Sequence, residues 1–217
     1  MAIDELLDEH EQGERVRAWL RENALGILGG VALGLGLIYG WQWWQRQQEG
    51  ERMQAATRYQ GAVDQLKAGK LAEARPLVAA MPDGIYDTLA SLALAKAQLE
   101  DGKRDEAIAT LRAAQSQARD PALAAVARDR LATLLIDAGK GKDALALLAT
   151  AEADAGVLQL RGDAHSALGQ QDQAREAYGK ALVLLEVGDP ARRLVELKFT
   201  EVGGTPAGTP EQQEAQG

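Results

Sequence analysis

Apolar residues near the start of the chain form one run without a charged side chain, bounded by Glu22 and Arg46. A helix rises about 1.5 Å per residue, so roughly 20 such residues cross a hydrocarbon core about 30 Å thick. A core helix of a soluble protein would show a polar face, and this run shows none before Gln42. The pattern predicts one transmembrane helix over residues 24–44.

Aromatic residues crowd the C-terminal end of this predicted helix. Three of the four tryptophans lie there beside a tyrosine, and the set is Tyr39, Trp41, Trp43 and Trp44. Indole and phenol rings favour the headgroup layer, because the ring is apolar while the N–H or O–H stays hydrated. We therefore expect these four side chains at the membrane–water interface.

A cleaved signal peptide is the alternative interpretation of the same run. Such a peptide has a basic leader, an apolar stretch of roughly 7–15 residues and small residues before the cut. Here the leader is acidic, the apolar stretch is longer and bulky tryptophans follow it. The segment is expected to stay attached as an anchor.

Basic residues flank the run almost equally, so charge alone leaves its orientation open. The flanking arginines are Arg15, Arg17 and Arg21 on one side, and Arg46, Arg52 and Arg58 on the other. A short leader ahead of a large domain is a common plan of bacterial signal anchors. We expect the leader, residues 1–23, in the cytoplasm and the large domain across the membrane.

Beyond the anchor, a motif of glycine, four residues and alanine occurs four times. The copies begin at Gly69, Gly102, Gly139 and Gly169 and end at Ala74, Ala107, Ala144 and Ala174. Successive glycines are 33, 37 and 30 residues apart, near the tetratricopeptide period of about 34 residues. Glycine past a helix end supplies the left-handed conformation that reverses the chain. The motif predicts stacked antiparallel helix pairs.

Small and large residues recur in register around each glycine. The fourth repeat is clearest, with Gly162 in the first helix and Ala174, Tyr178 and Ala181 in the second. The same positions of the first three repeats hold Ala62, Ala74, Val78 and Met81; Ala95, Ala107, Leu111 and Ala114; and Ala132, Ala144, Leu148 and Ala151. We expect these residues in the core.

The predicted helix pairs span residues 49–68 with 71–81, 86–101 with 104–118, 121–138 with 141–151, and 156–168 with 171–186. Pro121 suits a first helical position, whereas Pro76 is tolerable only near a first turn, because proline lacks an N–H donor. A half-polar last helix from Pro190 to Val202, with Leu194, Leu197 and Val202 as its apolar residues, is expected to close the stack. No run alternates at period two, so we predict an all-α fold with a repeat domain over residues 45–202.

Charge and composition narrow the class of partner. The 217 residues carry a net charge of −8 and no cysteine, and the leader is rich in carboxylates. Without a basic face, nucleic acid is not an expected partner. The absence of cysteine fits the cytosol and an oxidising compartment equally well. Residues 203–217 contain no large apolar side chain and are expected to be disordered.

Candidate catalytic and metal sites are weak. His10 and His165 are the only histidines, and two isolated imidazoles without cysteine do not make a metal site. Gly139-Lys-Gly-Lys142 lacks the spacing and the preceding strand of a phosphate-binding loop, so it fits a helix-to-helix turn. Ser166 has no nucleophile motif around it. We expect no enzyme activity, no cofactor and no metal.

Two features of the sequence favour binding to other polypeptides. Glycines at four-residue spacing in the predicted anchor form a flat stripe for close packing of another membrane helix, although glycine is also simply frequent in such helices. The stripe consists of Gly26, Gly30 and Gly34. In the repeat domain, the first helices line a groove suited to peptides or partner helices. Candidate groove residues are Tyr59, Gln98, Arg128 and His165.

The order of these features resembles the YfgM-type family, whose members are ancillary subunits of the bacterial Sec translocon. The residues that carry the resemblance are Gly40-Trp-Gln-Trp-Trp44, Leu89-Ala-Ser-Leu-Ala-Leu-Ala95 and Leu160-Arg-Gly-Asp-Ala164. The likeness runs over most of the chain, and the Gly/Pro/Gln-rich tail departs from it.

The resemblance implies an inner-membrane protein with a cytoplasmic N-terminus and a periplasmic repeat domain. It implies association with the SecYEG translocon and a PpiD-type periplasmic chaperone, and assistance to newly exported polypeptides. It carries over no catalytic residues. Some members of the family are linked to restraint of a stress-response regulator. An alternative function is therefore a membrane-anchored regulator of an envelope stress response, acting through the acidic leader.

Overall fold

The computed structural model describes the backbone of residues 2–205 and the side chains of residues 13–205. Within that range the regular structure is helical throughout, which confirms the predicted all-α fold. The helices are α1 (Ala2–Lys67), α2 (Leu71–Ala79), α3 (Ile85–Glu100), α4 (Arg104–Gln117), α5 (Pro121–Asp137), α6 (Gly141–Leu148), α7 (Ala155–Ala167), α8 (Gln171–Leu184) and α9 (Pro190–Glu201). Most of the predicted disordered tail, residues 206–217, lies outside the described residues.

The chain divides into two compact units, Met1–Gln54 and Ala55–Gly217. In the first unit, α1 continues without a break from the leader through the predicted anchor. The sequence has no proline before Pro76, and glycine weakens a helix without ending it. Between Gly13 and Lys67, α1 is long and apolar enough, by length and composition, to cross a membrane. The leader–anchor boundary after residue 23 stays a prediction.

In the second unit, helices pack in chain order, as a repeat stack requires. From α2 to α9, each helix contacts the next one along the chain, and the first helices of neighbouring pairs also touch, α3 with α5 and α5 with α7. The C-terminal part of α1 supplies Ala62 to a core cluster with Val78 of α2 and Leu94 of α3. This order reproduces the second, third and fourth predicted pairs, whereas the predicted helix over residues 49–68 is the C-terminal part of the continuous helix α1.

The four turn glycines adopt the predicted left-handed conformation. Gly69, Gly102, Gly139 and Gly169 have φ between +71° and +74°. After Gly102, the N–H of Lys103 donates to the carbonyl of Gln98 at 2.7 Å, and corresponding bonds close the other three turns. Gly203 ends α9 in the same conformation, with φ +80°. The predicted last helix thus ends in a fifth left-handed glycine, which the four-copy motif does not contain.

The small and large positions predicted for the core are buried in all four repeats, except for Ala151, which is half-buried. Gly141, at the start of α6, is explained by packing rather than by phosphate binding. A Cβ there would lie 3.0 Å from Cγ of Leu168 and 3.2 Å from the carbonyl oxygen of Ala164. The glycine therefore lets α6 approach α7 closely.

Two details of the helix ends differ from expectation. Pro76 is the sixth residue of α2, beyond the first turn, and α2 continues for only three residues after it. In α9 the buried residues are Val195 and the following Val202, whereas Leu194 and Leu197 are 48% and 59% exposed. The last helix therefore covers the stack with one face and leaves a second apolar face exposed.

Candidate binding groove and membrane helix

A cavity of about 360 Å³ opens between the first helices of the second and third repeats. One wall is a face of α3 that carries Leu92, Ala95, Lys96 and Leu99. The opposite wall is a face of α5 that carries Arg130, Thr133, Leu134 and Asp137. Both sets repeat at i, i+3, i+4 and i+7, the spacing of one helix face. Leu111 of α4 completes the lining.

The lining of this cavity is apolar inside and charged at its edge. Leu92, Ala95, Leu111 and Leu134 are buried, whereas Leu99 is 43% exposed. Nζ of Lys96 lies 3.6 Å from Oε1 of Glu100, and both side chains are largely exposed. Such an exposed pair contributes little binding energy and separates easily. The edge therefore combines apolar surface with accessible charge.

The four predicted groove residues lie on first helices, but none of them lines this cavity. Oε1 of Gln98 accepts a hydrogen bond from Oγ1 of Thr110 at 2.8 Å, and the side chain is only 4% exposed. Arg128 is paired with its neighbour Asp129 at 2.8 Å. The Gln98 side chain is thus engaged between the two helices of its own pair.

The other two predicted groove residues are half-buried. The ring of Tyr59 lies 5.6 Å from the ring of Tyr86, between ring centroids. Nδ1 of His165 lies 2.7 Å from Oε1 of Gln170, across the turn that follows α7. No metal site of three or more His, Asp or Glu residues is present in residues 13–205; His10 lies outside the described side chains.

In the fourth repeat a polar network closes the space next to the small residue of the first helix. The hydroxyl of Tyr178 donates to Oδ1 of Asp163 at 2.6 Å. Nζ of Lys198, on α9, lies 2.8 Å from both oxygens of the same carboxylate. Burial of the ring, followed by its hydrogen bond to Asp163, raises the pKa of the Tyr178 hydroxyl. This network joins α7, α8 and α9.

In the first unit, the predicted interface residues are exposed, with Tyr39 at 67% and Trp43 at 70%. The ring centroids of Trp41 and Trp44 are 5.3 Å apart. A Cβ added at any glycine of the stripe would meet nothing within 4 Å, so the stripe is open in the single chain. Its packing role stays a prediction.

Curated relatives align with the chain over nearly their whole length. A protein of Escherichia coli (strain K12) named ancillary SecYEG translocon subunit is 30% identical over 200 residues, covering 90% of this chain and 97% of that protein. A protein of Haemophilus influenzae with the same name is 27% identical, covering 81% and 89%. A solved kinesin light chain-like protein of Podosopora anserina with tetratricopeptide-like repeats gives a TM-score of 0.52, covering 76% and 90% at 19% identity. That structure supports the fold alone.

The stacked pairs and their groove define a helical-repeat scaffold of the tetratricopeptide type. A profile of the tetratricopeptide repeat-like domain matches residues 17–204. The chain therefore belongs to the tetratricopeptide repeat-like family and, within it, to the family of ancillary SecYEG translocon subunits. The resemblance stated from the sequence is confirmed.

Proposed function

We propose that this protein is a membrane-anchored, non-enzymatic scaffold that associates with the SecYEG translocon. The observation that carries the proposal is the alignment with the E. coli subunit over 97% of that protein. The apolar part of α1 supports an anchor, since its length and composition suffice to cross a bilayer. A tether raises the local concentration of the repeat domain at the channel, so its individual contacts need not be strong.

The proposal places the leader in the cytoplasm and the repeat domain in the periplasm. There the groove would hold a PpiD-type chaperone or a newly exported polypeptide. The accessible apolar surface of the cavity between α3 and α5 supports this assignment, because buried apolar surface is the usual anchor of a polypeptide partner. The glycine stripe would face a membrane helix of the translocon.

Site-specific photo-crosslinking in cells tests the proposal with one probe in each unit. A crosslinker at Gly30 lies on the stripe, and one at Leu28 lies about 200° around the same helix as its control. A crosslinker at Thr133 lies at the cavity, and one at the exposed Ser116 of α4 is its control. Purification in mild detergent and mass spectrometry identify the captured chains.

The expected result is capture of SecYEG subunits from Gly30 and of a chaperone or exported chain from Thr133. The control positions should capture these partners several times less. Absence of any translocon or chaperone subunit at both probes would contradict the proposed function.

The acidic leader favours a second candidate function, regulation of an envelope stress response. Its carboxylates suit a basic cytoplasmic regulator. Deletion of residues 2–20 separates the two functions, because translocon association should survive it while regulation should not. A regulator whose output is unchanged by the deletion excludes this alternative.

A further inference from the structure

The second and fourth repeats carry different residues at two corresponding positions. Ala95 and Gly162 each lie seven residues before their turn glycine, and Leu111 and Tyr178 each lie nine residues after it. A Cβ at Gly162 would overlap the ring of Tyr178, so the ring lies directly on the glycine backbone. In the second repeat, Ala95 and Leu111 supply a methyl group and an isobutyl group instead of a bare backbone and an aromatic ring.

The cavity of about 360 Å³ is located at this substituted pair, since Ala95 and Leu111 both line it. Its volume is near the lower end of the range for small-ligand sites, about 300–1,000 Å³. Its wall on α3 extends from Leu92 to Leu99, about 10 Å along the helix axis. That length suits one large side chain and is short for a membrane acyl chain.

The charge at the opening also differs from that of the fourth repeat. The residue after the small position is Asp163 in the fourth repeat, where Tyr178 and Lys198 both bind it. The corresponding residue at the cavity is the cation Lys96. Across the cavity, Arg130 makes no ion pair with any side chain of residues 13–205. Asp137 lies two turns further along α5.

We infer that this cavity accepts a large apolar side chain, best an aromatic one, from a polypeptide partner that places an acidic residue beside Arg130. The inserted side chain takes the place that the ring of Tyr178 occupies in the fourth repeat. The acidic residue of the partner then pairs with the accessible guanidinium of Arg130, because a guanidinium binds a carboxylate through two parallel hydrogen bonds. The inference rests on the proposed function only in taking a polypeptide as the partner.

Disulfide tethering tests the inference on the full-length chain in lipid nanodiscs. The natural sequence has no cysteine, so Thr133→Cys at the cavity gives a single attachment point. The probes are three peptides with an N-terminal cysteine, two glycines and a test sequence of Glu-Phe-Glu, Lys-Phe-Lys or Glu-Ala-Glu. Intact mass spectrometry under a thiol buffer measures the captured fraction. Ser116→Cys on α4 is the reference attachment point.

We expect Glu-Phe-Glu to be captured at position 133 about fivefold more than either other peptide, because it alone offers both the ring and the charge. At position 116 the three peptides should be captured equally. Arg130→Glu should reverse the preference between Glu-Phe-Glu and Lys-Phe-Lys. The matched control is Arg112→Glu, at an exposed arginine of α4, and it should leave this preference between the two peptides unaltered.

Two filling variants test the cavity itself. The double variant Ala95→Gly with Leu111→Tyr copies the fourth-repeat pair, and Leu99→Trp fills the space from its exposed edge. Either variant that folds should abolish the preference for phenylalanine over alanine. Equal capture of the three peptides at position 133 would overturn the inference. Protection of the cysteine by dodecanoate without any peptide preference would assign the cavity to a lipid and would also overturn it.

The two proposals fail separately. Tethering needs no translocon, so it remains informative if crosslinking finds no SecYEG subunit. Equal peptide capture combined with intact translocon crosslinking would remove the cavity assignment alone.

Discussion

Gly162 of α7 and Tyr178 of α8 form a matched small and large pair in the fourth repeat. A methyl group at position 162 would overlap the buried ring of Tyr178, so the ring or one of the two helices would have to shift. Glycine to alanine in a helix otherwise gains roughly 0.5–1 kcal/mol, whereas overpacking costs typically about 1–3 kcal/mol. We expect Gly162→Ala to lower the free energy of unfolding by about 1–2 kcal/mol, measured by urea unfolding of the full chain in detergent.

Gly179→Ala is the matched control on the neighbouring helix. Its Cβ would lie 3.6 Å from Cε2 of Phe199, an ordinary van der Waals contact, so stability should stay level or rise. Adding Tyr178→Leu to Gly162→Ala recreates the pair of the second repeat and removes the overlap. The double variant should therefore lose less stability than the sum of the losses of Gly162→Ala and Tyr178→Leu alone. If Gly162→Ala and Gly179→Ala proved equally stable, close packing of Gly162 on Tyr178 would not explain the loss.

Titration of the Tyr178 hydroxyl should make the free energy of unfolding depend on pH in the alkaline range. Its pKa is raised in the folded state, first by burial and then by the hydrogen bond to Asp163. Above about pH 10 the unfolded chain loses this proton while the folded chain keeps it. Stability should therefore be unaffected by this group below pH 10 and fall above it, by up to about 1.4 kcal/mol per pH unit. Urea midpoints between pH 8 and pH 11 measure the slope, and Tyr178→Phe should reduce it.

The predicted groove residues and the lining of the cavity differ by one or two positions along α3 and α5, and helix geometry explains the difference. Gln98 was expected in the groove, yet the adjacent Leu99 lines the cavity; Arg128 was expected, yet Arg130 lines it. Each residue step turns a helix by about 100°, so a shift of one or two positions changes the face completely. The i, i+3, i+4, i+7 pattern shared by α3 and α5 was the signal available in the sequence. The cavity itself depends on how far the two helices separate, which periodicity does not encode.

Among the elements, α2 carries a proline where a helix is least tolerant of one. Pro76 removes the hydrogen bond that its N–H would give to the carbonyl of Ala72. We expect Pro76→Ala to raise the free energy of unfolding by about 1–2 kcal/mol, less than the roughly 3 kcal/mol of an interior proline, because alanine also frees the unfolded chain. The measurement is the same urea unfolding.

Pro121 provides the contrasting case, since it is the first residue of α5, after Asp120. There the missing N–H has no helical partner to lose, and Asp120 accepts bonds from Ala122 and Leu123 instead. Pro121→Ala should be neutral or slightly destabilising. If Pro121→Ala raised the free energy of unfolding as much as Pro76→Ala, the position of the proline in its helix would not explain the effect.

The sequence motif located the helix pairs well because each turn depends on a local requirement. A left-handed residue must follow each first helix, and glycine supplies it at Gly69, Gly102, Gly139 and Gly169. The exposed face of α9 was harder to predict, because Leu194 and Leu197 look like core residues from composition alone. Whether they are covered depends on the neighbour that the stack provides.

At the scale of the whole molecule, the proposed orientation puts the leader and the repeat domain on opposite sides of the membrane. The near tie of flanking arginines does not decide it, but large domains cross the membrane largely regardless of charge. We expect a cysteine at Ser116 to react with a membrane-impermeant maleimide in cells whose outer membrane is permeabilised. A cysteine at Gly13, in the leader, should react only after the inner membrane is lysed.

The absence of native cysteine makes this labelling specific to the introduced site. The lysed sample serves as the control, because both cysteines lie at exposed positions and should then react alike. Labelling of position 13 in unlysed cells, with protection of position 116, would show that the topology is the reverse of the proposed one. The cavity would then face cytoplasmic partners, and exported chains could no longer be its ligands. Labelling of both positions before lysis would show that α1 does not separate two compartments.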